Sequence, residues 1–146
     1  MTIEAESTPA LRPPVVLSAE DYALVVALAG VSARRNPLVA RLLMEEADRA
    51  EVVPVDERPA DIVAVGSRVA FRDTATGDSR QVRIVAPGEA DIAQGRISVL
   101  SLVGAGLLGL AQGQSIDWPT QDGRVRRLTV ERVDAPPEGR SDPGAT

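Results

Sequence analysis

The sequence predicts an α+β protein: a short N-terminal antiparallel helical hairpin, then a small antiparallel β-sheet domain that carries one short helix. Three observations lead there. Apolar residues recur at helical spacing up to Ala50, they alternate at every second position in segments between Asp61 and Val133, and Pro54 and Pro59 mark the change of period. Runs of helix followed by runs of strand are the pattern of an α+β fold.

The first helix lies in "LSAEDYALVVALAG", where Ser18 stands as N-cap, Asp21 follows three residues on as in a capping box, and Gly30 suits the stop. Tyr22, Val25, Val26 and Ala29 share one face. The second helix opens at "NPLVARLLMEEADRAEVV", with Asn36 as N-cap and Pro37 at the first helical position. Leu38, Val39, Leu42, Leu43 and Ala47 form its apolar stripe, while Arg41 with Glu45 and Glu45 with Arg49 are spaced as i,i+4 pairs. The connection, about Gly30 to Arg35, is short enough to make the two helices antiparallel neighbours.

Beyond Pro59, "DIVAVGSRVAFRD" places Val63, Val65, Val69 and Phe71 on one side and Arg68 and Arg72 on the other, as in a half-buried strand bent at Gly66. A turn at Gly77 leads to a second strand carrying Val82, Ile84 and Ala86. Ile97 and Val99 mark a third, Ile116 and Trp118 a fourth, and Leu128 and Val130 a fifth, entered through a hairpin turn at Asp122-Gly123. Between the third and fourth strands, "SLVGAGLLGL" reads as a helix from Leu102 to Leu110 capped by Ser101. So short a helix offers about half its circumference to the sheet, which leaves its start at Leu100, Ser101 and Leu102 near the surface. The organisation is therefore a flexible tail over 1–16, the helical hairpin over 17–53, the sheet domain over 60–133, and a second flexible tail over 134–146.

Composition narrows the chemistry. The chain has no histidine, cysteine or lysine, which removes the commonest general base, the thiolate nucleophile, the soft metal ligands and the Schiff-base amine. A formal charge of −5 argues against a general nucleic-acid binder. The acidic start "MTIEAESTPALRPP" is unlike a signal peptide, and the stretch Ile97 to Ala111 is broken by serines and glycines before it reaches the length of a membrane span. A cytoplasmic protein with no cofactor and no membrane partner is expected.

The segments "PADIVAVGSRVAFRD", "ISVLSLVGAGLLGLAQGQSIDW" and "DGRVRRLTVERV" resemble the C-terminal domain of the GreA/GreB transcript-cleavage factors. The short hairpin ahead of them is similar in length to that of the Rnk branch of this family, the regulators of nucleoside diphosphate kinase. The likeness runs from about Leu17 to Val133 and is most specific from Ile97 to Gly113. It implies an FKBP-like fold for the sheet domain and bacterial RNA polymerase as partner, bound at the coiled-coil rim of the secondary channel. In Gre factors the residues around a serine-proline or alanine-proline step touch that rim; the resemblance aligns them with Leu100, Ser101 and Leu102, and Val103 joins them as a partner-binding residue, with Leu102 where proline is usual and Leu100 where a polar residue is usual.

The resemblance also bears on catalysis. Gre factors bring carboxylates on the hairpin tip to the polymerase metal site, where they help hold a second Mg²⁺ that activates water. The tip here, "GVSARRN", holds Ser32, Arg34 and Arg35 and no carboxylate, and arginine repels a cation. Helices of this length also span only about 18 to 24 Å. The expected function is a non-catalytic polymerase-binding regulator; the alternative is an interaction module for another protein on the same fold.

The remaining features read as architecture. Arg34 and Arg35 suit an acidic polymerase surface or nucleic acid, or else a solvated loop. Arg124, Arg126, Arg127 and Arg132, on alternating strand positions, read as a wet sheet face. Glu45, Glu46, Asp48 and Glu51 sit on one helix and its end with paired arginines and do not converge as metal ligands would. Tyr22, Phe71 and Trp118 are the only aromatics, too few for the ring-lined pocket of a prolyl isomerase, so Trp118 reads as packing. The glycines of "GAGLLG" lack the surroundings of a nucleotide fingerprint and read as close-packing positions.

Overall fold

The computed structural model describes residues 13–119 and 123–136. Strand β1 (Val16–Ser18) leads into helix α1 (Ala19–Ser32), and a four-residue connection leads to α2 (Pro37–Arg49) and strand β2 (Glu51–Val53). The second half contains β3 (Arg68–Asp73), β4 (Ser79–Val85), β5 (Arg96–Ser98), α3 (Leu102–Leu107), β6 (Ser115–Pro119) and β7 (Val125–Asp134). The larger sheet has the order β5-β4-β3-β7-β6, and β1 pairs with β2 apart from it.

The helix starts follow from their caps. The Ser18 hydroxyl accepts from the Asp21 amide at 3.0 Å. The Asp21 carboxylate accepts from the Val65 amide, also at 3.0 Å, and so ties α1 to the chain entering the sheet. Asn36 caps α2 without its side chain, and Pro37 supplies the preset helical φ. Gly30 does not stop α1, because the helix continues to Ser32, whose hydroxyl donates to the Leu28 carbonyl at 2.6 Å. Leu38, read as part of the α2 stripe, is exposed, whereas Val39, Ala40, Leu42, Leu43 and Ala47 are buried. Arg49 is held by Glu46 through two bonds at 3.1 and 2.8 Å; Glu46 lies on the buried side of α2, where a charge-assisted partner offsets its desolvation.

Several expected boundaries move. The N-terminal segment expected to be loose through residue 16 is packed at its end: Val15 is buried, and Val16 begins a strand in register with Glu51. Residues 1–12 and 137–146, and Asp122 of the expected hairpin turn, lie outside the described residues. The strand read over Asp61 to Asp73 begins only at Arg68. Its first part is a buried turn in which the Ser67 hydroxyl accepts from the Ala64 amide, with Gly66 at a φ of 100° that a side chain would resist. The sheet is not wholly antiparallel, since β5 runs parallel to β4. Between them two 3₁₀ turns, Pro87–Glu89 and Ile92–Gln94, carry the chain back to its starting end.

Within the sheet the two-residue alternation holds: Val69, Phe71, Val82, Ile84, Ile116, Trp118, Leu128 and Val130 are buried on one face. α3 lies across that face. One contiguous apolar core joins them to Val25, Ala29, Leu42 and Leu43 of the helix pair. The chain leaving α3 is the fastening point. The Val16 amide donates to the Gly109 carbonyl at 3.1 Å, the Gly109 amide to the Val63 carbonyl at 2.9 Å, and the Val63 amide to the Leu110 carbonyl at 2.8 Å. The segment 109–110 thus stitches β1, and with it the helix pair, to the strand side.

Candidate functional site

The residues singled out as a contact surface form a ridge where β5 passes into α3. Short polar links hold it. The Ser98 hydroxyl accepts from the Leu100 amide at 2.8 Å, and the Ser101 hydroxyl donates to the Ser98 carbonyl at 2.7 Å while accepting from the Gly104 amide at 3.0 Å. Ser101 is therefore engaged on both sides as a cap and is not poised as a nucleophile. From below, the indole N–H of Trp118 donates to the Leu102 carbonyl at 2.6 Å.

Small residues permit this close approach. A Cβ on Gly104 would run into the Ser98 carbonyl, and one on Gly106 would lie 2.8 Å from the Trp118 ring. α3 is shorter than the Leu102 to Leu110 span expected, because Leu108 leaves helical geometry. Leu107, Leu108 and Leu110 are buried, whereas Leu100, Leu102 and Val103 pack on the core with part of their surface in solvent. The apolar stretch thus divides into an inner half that holds the fold and an outer half that meets solvent.

On one side of the ridge, Ser101, Leu102 and Val103 border a groove of about 350 Å³ with Phe71, Val82 and Ile97. Ile92, 80% exposed, and Arg80 complete its wall. Sequence reading missed both, since Ile92 lies in a 3₁₀ turn with no apolar period and Arg80 sits at the start of β4. On the other side, Leu100, Ser101 and Leu102 share a recess of about 390 Å³ with Asn36, Leu38 and Val39. This recess brings the exposed Leu38 to the ridge and places the start of α2 next to it.

The tip residues separate. Arg34 and Arg35 are exposed, but Ser32 is buried inside α1 and belongs to the helix, not to the tip surface. At 14 residues, α1 is about 21 Å long. Arg127 grips Asp117 of β6 at 2.8 and 3.3 Å and Arg126 meets Asp73 of β3 at 3.4 Å, whereas Arg132 pairs along its own strand with Asp134 at 3.3 Å. Arg126 is in register with Trp118 and lies on the side of β7 that buries Leu128, so the four arginines do not form the single wet face expected. The hydrogen bonds that Arg127 donates to the Asp117 carboxylate raise its pKa above the ordinary value, with the carboxylate's charge acting in the same direction. Among the described residues, no group of three or more carboxylates is placed to hold a metal ion, and no helix is long and apolar enough to cross a membrane.

Known proteins resemble this chain in sequence and in fold. Residues 58–135 match the family described as transcription elongation factor, GreA/GreB, C-term. Regulator of nucleoside diphosphate kinase from Escherichia coli strain K12 is 33% identical over 131 residues, covering 90% of this chain and 96% of that protein. Transcription elongation factor GreA from Nitratidesulfovibrio vulgaris is 36% identical over 94 residues, 63% of this chain and 59% of that protein. Among solved structures, a GreA/GreB elongation factor from Nitrosomonas europaea superposes with a TM-score of 0.65 at 32% identity, covering 82% of this chain and 98% of that one.

Proposed function

The chain belongs to the GreA/GreB transcription elongation factor family, and from that premise we propose that it is a non-catalytic regulator that docks on bacterial RNA polymerase at the secondary-channel rim. The observation that carries this reading is the ridge Leu100, Ser101, Leu102 and Val103, wired from beneath by Trp118 and flanked by the groove over Phe71, Val82 and Ile97. Rigid, partly exposed aliphatic side chains beside an open apolar groove suit the side of a coiled coil, whose own apolar residues need such a seat. The five-stranded sheet with α3 across it is read as FKBP-like and as the docking half. The helix pair is read as a short coiled coil.

The tip supports the non-catalytic part. Two exposed arginines stand where Gre factors need carboxylates, and a metal-binding role would set cation against cation. The recess shared by Asn36, Leu38 and Leu100 places the start of α2 beside the docking ridge, so the helix pair widens the contact face instead of reaching for a distant metal site. Occupying the rim without cleaving makes the protein a competitor of cleavage factors.

The experiment is capture of purified RNA polymerase. The protein is expected to retain polymerase and to release it when excess Gre factor is added. A Leu102→Asp variant, shown to be folded by its buried Trp118 emission, is expected to weaken capture at least about tenfold, the cost of setting a carboxylate into an apolar contact. Failure of the wild-type protein to capture polymerase at micromolar concentration would instead favour a different protein partner for the same ridge. In a backtracked complex the protein is expected to leave transcript cleavage at the polymerase's own rate; stimulation would overturn the reading of the tip.

A further inference from the structure

Three arginines meet across neighbouring strands on the sheet face opposite the core. Arg68 of β3 is in register with Arg83 of β4, which is in register with Arg96 of β5. Like charges placed directly opposite one another on a sheet destabilise it unless something neutralises them. Arg96 is partly compensated, by Asp91 at 3.7 Å and by the Glu89 carbonyl at 3.1 Å. Arg83 donates one guanidinium N–H to the Gly66 carbonyl at 2.7 Å, which fixes its orientation and leaves it charged. Arg68 is exposed and has no ion-pair partner among the described residues; Asp134, opposite it on β7, is engaged by Arg132.

Beside this row lies a recess of about 190 Å³ lined by Arg68, Arg83, Gln81, Gln94, Gly95 and Val82. Its lining residues include two arginines and two glutamines and no acidic residue. Its walls are set by the backbone: the Arg83 amide donates to the Gly95 carbonyl at 2.8 Å, which holds the turn bearing Gln94 against β4. Two arginines and two glutamines bordering one hollow bring together residue types whose donors recognise a tetrahedral oxyanion. We propose that this recess binds a phosphate group. It lies on the sheet face turned away from the ridge and groove, and it is independent of the polymerase reading.

A phosphate of this kind belongs either to a small phosphorylated molecule or to a nucleic-acid backbone, and the test separates the two. The full chain is titrated with inorganic phosphate at constant ionic strength, balanced with chloride, and followed by amide nitrogen–proton correlation NMR. Saturable shifts are expected at Gln81, Arg83, Gln94 and Gly95. In Arg68→Gln the affinity is expected to fall about tenfold, as for loss of a charged hydrogen-bonding partner, whereas Arg35→Gln at the tip is expected to leave it unchanged. A second titration uses single-stranded oligothymidylate. Binding that phosphate displaces and Arg68→Gln weakens assigns the site to a nucleic-acid backbone; phosphate binding without oligothymidylate binding assigns it to a small ligand. Absence of saturable shifts with either probe, or shifts that survive Arg68→Gln unchanged, would overturn the proposal.

Discussion

Trp118→Ala is expected to destabilise the chain by about 3–5 kcal/mol, most of the margin that a protein of this size commonly has. The indole is fully buried and is the largest side chain so enclosed. It lies flat against Gly106, where the missing Cβ leaves the ring its space at 2.8 Å, so α3 has nothing with which to fill the cavity if the ring is removed. A second cost is polar. The Leu102 carbonyl now receives the indole N–H at 2.6 Å, and removing that donor leaves the Ser101 and Ser98 links as the side-chain hydrogen bonds at the start of α3.

Denaturant unfolding followed by circular dichroism measures the loss, and Trp118→Phe divides it. Phenylalanine restores most of the volume but not the donor, so its cost is expected to be about 1–2 kcal/mol. Equal losses for the two variants would show that packing volume is not what Trp118 supplies. Because the ridge rests on this ring, Trp118→Phe is also expected to weaken polymerase capture more than its small loss of stability would explain.

The same ring shows what was legible in the sequence. Ile116 and Trp118 alternate in a strand, and the two-residue period that revealed them also revealed Val82, Ile84, Leu128 and Val130, because a sheet with one covered face must bury every second residue. The Ser18 and Ser101 caps were readable because a hydroxyl three residues ahead of a helical amide has few other uses. β1 and β2 were hidden by their length, since three residues hold no period, and their partners lie 35 positions apart in register, Val16 with Glu51. The parallel placement of β5 was hidden because it depends on how two 3₁₀ turns swing the chain, not on any strand residue.

At the candidate site the sequence indicated the ridge but not its walls. Leu100 and Leu102 stood out as leucines beyond what a short helix can bury. Ile92 and Arg80 acquire meaning only when β4, β5 and the turn between them are brought together. Ser32 was misplaced for a local reason: Gly30 looked like a helix stop, but the helix runs on to Ser32, whose hydroxyl satisfies itself on the Leu28 carbonyl. The arginine row was visible as three residues of one type but not as a row, since cross-strand register is a property of the assembled sheet.

Gly109→Ala is the second change with a large expected effect, about 2–4 kcal/mol, and it acts on the joint between the two halves. Two costs add. The residue sits at a φ of 88°, where an L side chain is strained, and the new methyl would be driven into Val15, with the Val16 carbonyl at 3.3 Å and Leu17 at 3.4 Å on its other sides. Val15 is β-branched and fully buried, so it has no alternative rotamer with room to retreat, and the strain is relieved only by moving β1. That movement breaks the bond from the Val16 amide to the Gly109 carbonyl and then loosens the pairing of β1 with β2. The loss should therefore be uneven: hydrogen exchange is expected to rise first at Val16, Val52 and Val53 and through α1, while Val69, Val82 and Val130 stay protected until global unfolding. Uniform loss of protection would show that the helix pair and the sheet melt as one cooperative unit, and that the stitch at 109–110 is no weaker than the core it joins.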